Sequence, residues 1–293
     1  MAGLHPMTAP ATRRLPVTAP PETAAYLAHL IDGVRWDPAV EAPLVVWVDS
    51  KNRHRARPVQ RPGDLDRAYS LATAGNLYLK AAIFRVAALA RHRATGDAFS
   101  GWGGHAITAI LAVLADVDLA AVVAAEAAGG RPFASAEAFA SAKDAAAPAV
   151  RALDDAPLAA LVAHGAEVLA DALRQLGLGP GDYDLIYSGY GLYPVLRLDP
   201  RDVRDVASAR EAMRRLVRGI NAVAGYPLAD VGATDAGTRE FRAPGAWNPK
   251  ARDRPRKAKA LRLGTRRHRL ADLLETLAPY DRPAGGWGAP QPP

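Results

Sequence analysis

Three short segments hold residue types that could do chemistry together. Asp116-Val-Asp118 lies inside an apolar run, Ser188-Gly189-Tyr190-Gly191 closes a second apolar run, and Asp230 stands ahead of Phe241-Arg-Ala-Pro-Gly-Ala-Trp-Asn-Pro-Lys250. On a strand, positions i and i+2 project from one face, so Asp116 and Asp118 would set two carboxylates side by side. Paired carboxylates repel unless a cation lies between them, and Mg²⁺ or Mn²⁺ is the natural occupant of an all-oxygen site. Asp-x-Asp is common by chance; the flanking apolar residues strengthen the pair, because burying an unpaired charge is costly. Asp230 is the candidate for a third carboxylate, with Asp235 as its rival.

The glycine turn suits an anion, since glycine lets backbone N–H groups approach closely and Ser188 adds a hydroxyl. An ordinary β-turn would have the same sequence. Tyr193 would project from the strand after the turn, toward a base or sugar or into the core, and Arg197 four residues on would share its face. Behind Asp230, Arg239, Arg242 and Lys250 are candidates for phosphate contact, and Asn248 shapes their loop. Trp247 reads equally as a stacking platform or a core plug. From Arg239 to Arg269 twelve Lys or Arg are opposed only by Glu240 and Asp253. A run so one-sided favours a polyanion, and Arg252, Arg254, Arg256, Lys257 and Lys259 are its candidate DNA contacts. The whole chain agrees, with a net charge of +7 and a pI near 9.8.

Other classes fall away. There is no cysteine, which excludes disulfides, thiolate zinc sites and cysteine nucleophiles. No Gly-x-x-x-x-Gly-Lys-Ser/Thr is present, so there is no P-loop. His105 and His164 have no spaced partner and read as structural. No uninterrupted apolar stretch reaches the ~20 residues of a membrane span and no signal peptide is evident, so a soluble cytoplasmic protein is expected.

The elements that must position these residues are mixed. Residues 1–20 and the Pro/Gly-rich stretch from Arg282 read as tails. Helices are predicted over Pro21–Val34, Asp64–Ala74, Asp155–Leu176, Arg201–Val223 and Leu270–Leu277. Strands are predicted over Leu44–Val48, Asn76–Phe84, Ala106–Leu119, Tyr183–Tyr187 and Leu192–Leu198. The last two would form a hairpin-like pair around the glycine turn. Asp49–Arg57 reads as a loop, 120–150 as an alanine-rich, partly helical insertion, and the chain after Asp230 as loop-rich. Strand hairpins alternating with helices give an α/β (α+β) class.

The order of these motifs resembles the archaeo-eukaryotic primase superfamily, closest to the primase-polymerases of phages and plasmids. The likeness spans about Asn76 to Lys250, and the segment after Asp230 is its most specific part. It implies an RRM-like catalytic core with a smaller N-terminal α/β module. A single catalytic domain over 21–280, built of two intertwined subdomains, would stand between tails at 1–20 and 281–293. It implies template-directed nucleotidyl transfer from NTPs or dNTPs with two Mg²⁺ or Mn²⁺ ions, a single-stranded DNA template and a separately encoded helicase. Carried across, Asp116, Asp118 and Asp230 are metal ligands. Ser188, Gly189 and Gly191 lie on the nucleotide, as do Tyr193, Arg197, Arg239, Arg242, Asn248 and Lys250. Tyr193 departs from the histidine usual there, and neutral tyrosine offers a phosphate one hydroxyl. That departure motivates the alternative, a weakened primase fold that binds DNA or nucleotide as a replication initiator.

Overall fold

The computed structural model describes residues 18–61, 63–88, 106–129, 131–232, 239–251 and 253–281. Most of both tails, His105, Asp235 and Arg252 lie outside these residues.

Two antiparallel sheets share one apolar core. The first runs β2-β1-β3-β4, from β1 (Glu41–Val48), β2 (His54–Pro58), β3 (Leu77–Arg85) and β4 (Ile107–Ile110), and β9 (Glu240–Arg242) also pairs with β3. The second runs β12-β7-β8-β5, from β5 (Ala112–Leu114), β7 (Asp184–Tyr187), β8 (Gly191–Arg197) and β12 (Lys259–Arg262), and β6 (Val117–Asp118) pairs with β8. A small ribbon joins β10 (Trp247–Asn248) to β11 (Arg256–Lys257).

Helices cover the sheets. They are α1 (Pro21–Ile31), α2 (Gly63–Leu71), α3 (Leu119–Ala127), α4 (Ala136–Ala152), α5 (Asp155–Gln175), α6 (Val206–Ala224) and α7 (Leu270–Thr276). In α6, Ala209, Ala212, Met213, Leu216, Val217 and Ile220 are buried, at the three- and four-residue spacing of one helical face. Asp205 caps its start by accepting from the Ser208 N–H at 3.1 Å. By length and composition α5 would reach across a bilayer. Here its Leu158, Gly165, Leu169, Ala172 and Leu173 are buried, and it packs on α3, α6 and β8.

Four expectations need correction. Asp49–Arg57 is not all loop: His54–Pro58 pairs with β1 around a turn in which Asp49 accepts from the Lys51 and Arg53 N–H groups. An edge strand has one side unpaired, so its polar sequence is no obstacle. Ala106–Leu119 is three short strands rather than one. Its Leu111 joins the two sheets, donating to Ala81 O at 2.7 Å and accepting from Leu198 N at 2.9 Å. The helix expected from Arg201 begins at Val206, after turns closed by Asp199 and Asp202. After Asp230 short strands appear whose partners lie far away in sequence, β3 for β9 and β7 for β12.

Candidate active site

The three acids are positioned by backbone. Asp118 ends β6 and is the N-cap of α3, accepting from the Ala120 N–H at 3.0 Å. Asp116 lies in the break between β5 and β6, so the pair straddles a strand boundary instead of lining one continuous strand. Asp230 reaches them through main chain. Its N–H donates to Asp116 O at 2.8 Å, and Val117 bridges Ala229. Asp116, Asp118 and Asp230 therefore border one cleft of about 660 Å³, within the range of a small-molecule site.

Their charge is already met by a cation. The Arg239 Nη2 is hydrogen-bonded to Asp116 and lies 3.4 Å from an Asp230 oxygen. The Arg239 Nε is buried without a partner among the described residues. Burial pushes the Asp116 carboxyl above its ordinary range, and the adjacent guanidinium pulls the other way. As donors, three carboxylates in one cleft fit a hard divalent cation, and the guanidinium stands where such charge is wanted. Their present spacing does not gather them around an ion: among the described residues no three acidic or histidine side chains do so. The Arg239 guanidinium lies between Asp116 and Asp230, in the space an ion shared by these two would take.

The glycine turn is locked into the fold. Gly189 has φ +105°, and a Cβ there would lie 2.7 Å from Asn248 Cβ; at Gly191 a Cβ would lie 2.7 Å from Val117 O. Asn248 Nδ2 donates to Ser188 O at 2.8 Å, while its Oδ1 accepts from the Lys250 N–H at 3.1 Å. The Ser188 hydroxyl donates within the turn, to Gly191 O at 3.1 Å, rather than into the cleft. Ser188, Tyr190, Gly191 and Asn248 line the cleft; Gly189 is pressed against Asn248 and Arg256.

Tyr193 lines the cleft with its ring edge-on to Phe241, centroids 6.1 Å apart. Burial first, then the nearby Asp116 charge, pushes its hydroxyl far above the ordinary tyrosine range, so it stays a neutral donor. Arg197 does not accompany it. Its guanidinium is buried behind the sheet, donating to Gly264 O at 2.8 Å and lying 3.8 Å from Asp184, which also holds Tyr26 and His29. The physical reason is that β8 is buried on both faces, and Asp184 supplies a buried arginine with its counter-charge.

Arg242 borders the cleft but is itself a clamp. It is hydrogen-bonded to Asn76, donates to Tyr78 Oη at 2.6 Å and Trp247 O at 2.9 Å, and stacks 4.4 Å above the Tyr78 ring. Among the candidate DNA contacts, Arg254 pairs with Asp154 at 2.6 Å, Arg256 with Asp155, and Lys257 with Glu22 at 2.9 Å. Lys259 is exposed on β12.

The sequence reading, which took 120–150 only as a partly helical insertion, missed that Ala136, Phe139, Ala140 and Lys143 of α4, with Glu137 beside them, also line the cleft. Their spacing of three, four and seven is a helical stripe, a signal hidden by the surrounding alanines. Also missed was a rim of Tyr78 and Glu240, where the Glu240 carboxylate meets His54 Nδ1 at 2.6 Å.

No protein-family model matches this chain, and no curated protein does. Among solved structures it aligns with the AEP domain of the primase-polymerase of cyanophage S-2L, at 13% sequence identity and a TM-score of 0.48. The alignment covers 87% of this chain and 97% of that one. A likeness of that degree carries no inference about activity, which rests on the cleft itself.

Proposed function

We propose that this chain is a nucleotidyltransferase of the phage and plasmid primase-polymerase kind, with residues 21–280 acting as one catalytic unit. The observation that carries the reading is the meeting of Asp116, Asp118 and Asp230 in one cleft with the glycine turn and the loop holding Lys250. Acids 112 and 114 residues apart in sequence are drawn together by a backbone bridge, not by chance proximity along the chain.

In the proposed reaction a 3′-hydroxyl oxygen attacks the α-phosphorus of a (d)NTP opposite a single-stranded template. The new P–O bond forms as the bond to the leaving pyrophosphate breaks, and the hydroxyl proton passes to solvent. Bound Mg²⁺ or Mn²⁺ would supply acidification of that hydroxyl and charge neutralisation at the leaving group, and Asp116, Asp118 and Asp230 would hold the ions. Tyr193, kept neutral, offers its hydroxyl to a phosphate oxygen or sugar. Lys250 adds positive charge close to Asp116. Ser188 and Asn248 fix the wall on which the nucleotide rests, and exposed Lys259 remains available to template phosphates.

A second reading keeps the fold and drops the chemistry: a replication initiator that binds DNA or nucleotide. It is favoured by Arg239, which occupies the space between two of the acids. Primer synthesis on single-stranded template with Mg²⁺ or Mn²⁺ separates the two. The wild type is expected to incorporate nucleotide, and Asp116→Ala or Asp118→Ala to reduce incorporation by roughly a thousandfold or more. Incorporation that survives both substitutions contradicts the assignment of the acids; no product from the wild type favours the initiator.

A further inference from the structure

Helix α4, in the alanine-rich stretch, turns one face to the cleft, and at the end of that face stands Lys143. Ala136, Ala140 and Lys143 follow one another at four and three residues, so they rise along a single stripe. The helix is held at both ends. Near its start Phe139 packs edge-on against Phe133, centroids 5.0 Å apart, and against Tyr226 at 5.9 Å. At its finish Arg254 Nη1 donates to Ala152 O at 2.9 Å and Arg256 Nη2 to Leu153 O at 2.6 Å. Cations are favoured at helix C-termini, where carbonyls lack intrahelical donors. Two arginines of the basic segment thus fasten α4 in place, and Lys143 projects from a fixed wall.

Among the described residues four cationic side chains border the cleft, and they divide into two kinds. Arg239 is bonded to Asp116 and Asp230, and Arg242 to Asn76, Tyr78 and Trp247. Lys143 and Lys250 have no carboxylate partner among the described residues. Lys143 is half-buried, its stem covered by the wall, and its ammonium makes no ion pair among the described residues. Lys250 acts on the Asp116 carboxylate, and Lys143 enters the same cleft from α4. Of the two acids on the same helix, Glu137 also lines the cleft but is six residues earlier, about 9 Å along the axis at 1.5 Å per residue, and Asp144, next in sequence to Lys143, is exposed and does not line the cleft. The cleft therefore holds, besides the three acids, an ammonium on α4 that makes no ion pair among the described residues.

We propose that Lys143 binds the terminal phosphates of the incoming nucleoside triphosphate, making α4 the polyphosphate wall of the cleft. The inference rests on the nucleotidyl-transfer reading, and it gives the alanine-rich segment a part in substrate choice. A nucleotide bound with its α-phosphate near Asp116, Asp118 and Asp230 would put its tail against Lys143. Tri- and monophosphates would then differ in affinity chiefly through this residue.

Calorimetric titration of the full chain tests it, using inorganic tripolyphosphate, a nucleoside triphosphate and the matching monophosphate against wild type, Lys143→Gln and Lys143→Arg. Lys143→Gln is expected to lose about tenfold in affinity for triphosphate and tripolyphosphate, the scale of one charged hydrogen bond, with monophosphate binding unchanged. Lys143→Arg is expected to retain most of the affinity, and thermal unfolding of all three to coincide. Equal triphosphate affinity in wild type and Lys143→Gln overturns the proposal, as does a loss shared by mono- and triphosphate, or no tripolyphosphate binding by the wild type. A wild type that binds tripolyphosphate through Lys143 yet makes no primer keeps this proposal and removes the polymerase reading. Primer synthesis in which Lys143→Gln leaves the nucleotide KM unaltered does the reverse.

Discussion

The two sides of the cleft use positive charge in opposite ways. On the side formed by β9, β10 and the following loop, nearly every arginine is committed inside the protein: Arg239 to two acids, Arg242 to Asn76, Tyr78 and Trp247, Arg254 and Arg256 to the end of α4. On the side formed by α4, Lys143 has no such partner among the described residues; Lys250, at the end of the first side's loop, makes no ion pair but acts on the Asp116 carboxylate. A sequence counts charges equally; a structure separates those that build the site from those left to meet a ligand. The densest basic segment is here largely architecture, while a lysine in a bland alanine stretch lines the cleft without an ion pair.

The contrast can be broken most forcefully at Arg242. If it is a clamp, Arg242→Ala leaves Asn76, Tyr78 Oη and Trp247 O without their donor in a buried place, and unfolding free energy should fall by about 3 kcal/mol. Chemical denaturation measures this. A variant as stable as wild type but impaired only in nucleotide affinity would return Arg242 to the ligand-binding side.

Arg239 gives a smaller, opposite effect. Removing a guanidinium that competes with a divalent ion should tighten Mn²⁺ binding to the nucleotide-free protein by about tenfold, a little over 1 kcal/mol. Electron paramagnetic resonance titration of free Mn²⁺ reads this for Arg239→Ala without any catalysis. Weaker Mn²⁺ binding in the variant would make Arg239 a supporting residue instead of a competitor.

The smallest effect lies at the rim. The hydrogen bond to Glu240 raises the His54 imidazole above its ordinary range, with partial burial opposing. A raised folded-state value stabilises the protein below the unfolded value of about 6.5, and that contribution disappears as pH rises through the folded value. His54 is 43% exposed at its side chain, so solvent screens much of it. Proton NMR titration should show the His54 midpoint above that of an unpaired histidine and returning toward it in Glu240→Gln. An unchanged midpoint would dissolve the pair.

Much of this was legible in the sequence because it depends on local pattern. The stripe from Ala209 to Ile220, the hairpin of β7 and β8 around Ser188–Gly191, and the apolar flanks of Asp116 and Asp118 all followed from spacing. Arg197 did not, because its counter-charge Asp184 lies on the neighbouring strand and alternation alone names a face without saying what covers it. The break at Leu111 was hidden because one residue serves two sheets, which periodicity along a single strand does not encode. Lys143 was masked by composition, since alanines on every side of α4 blur the face that its large residues mark.

The most direct test of the central claim is a crystal structure of the protein with Mn²⁺ and a nucleoside triphosphate, with manganese located by its anomalous scattering. The account expects manganese on Asp116, Asp118 and Asp230, the Arg239 guanidinium moved off these acids, and the terminal phosphates against Lys143. A nucleotide bound elsewhere, or no manganese at these acids with Arg239 still between Asp116 and Asp230, would contradict it.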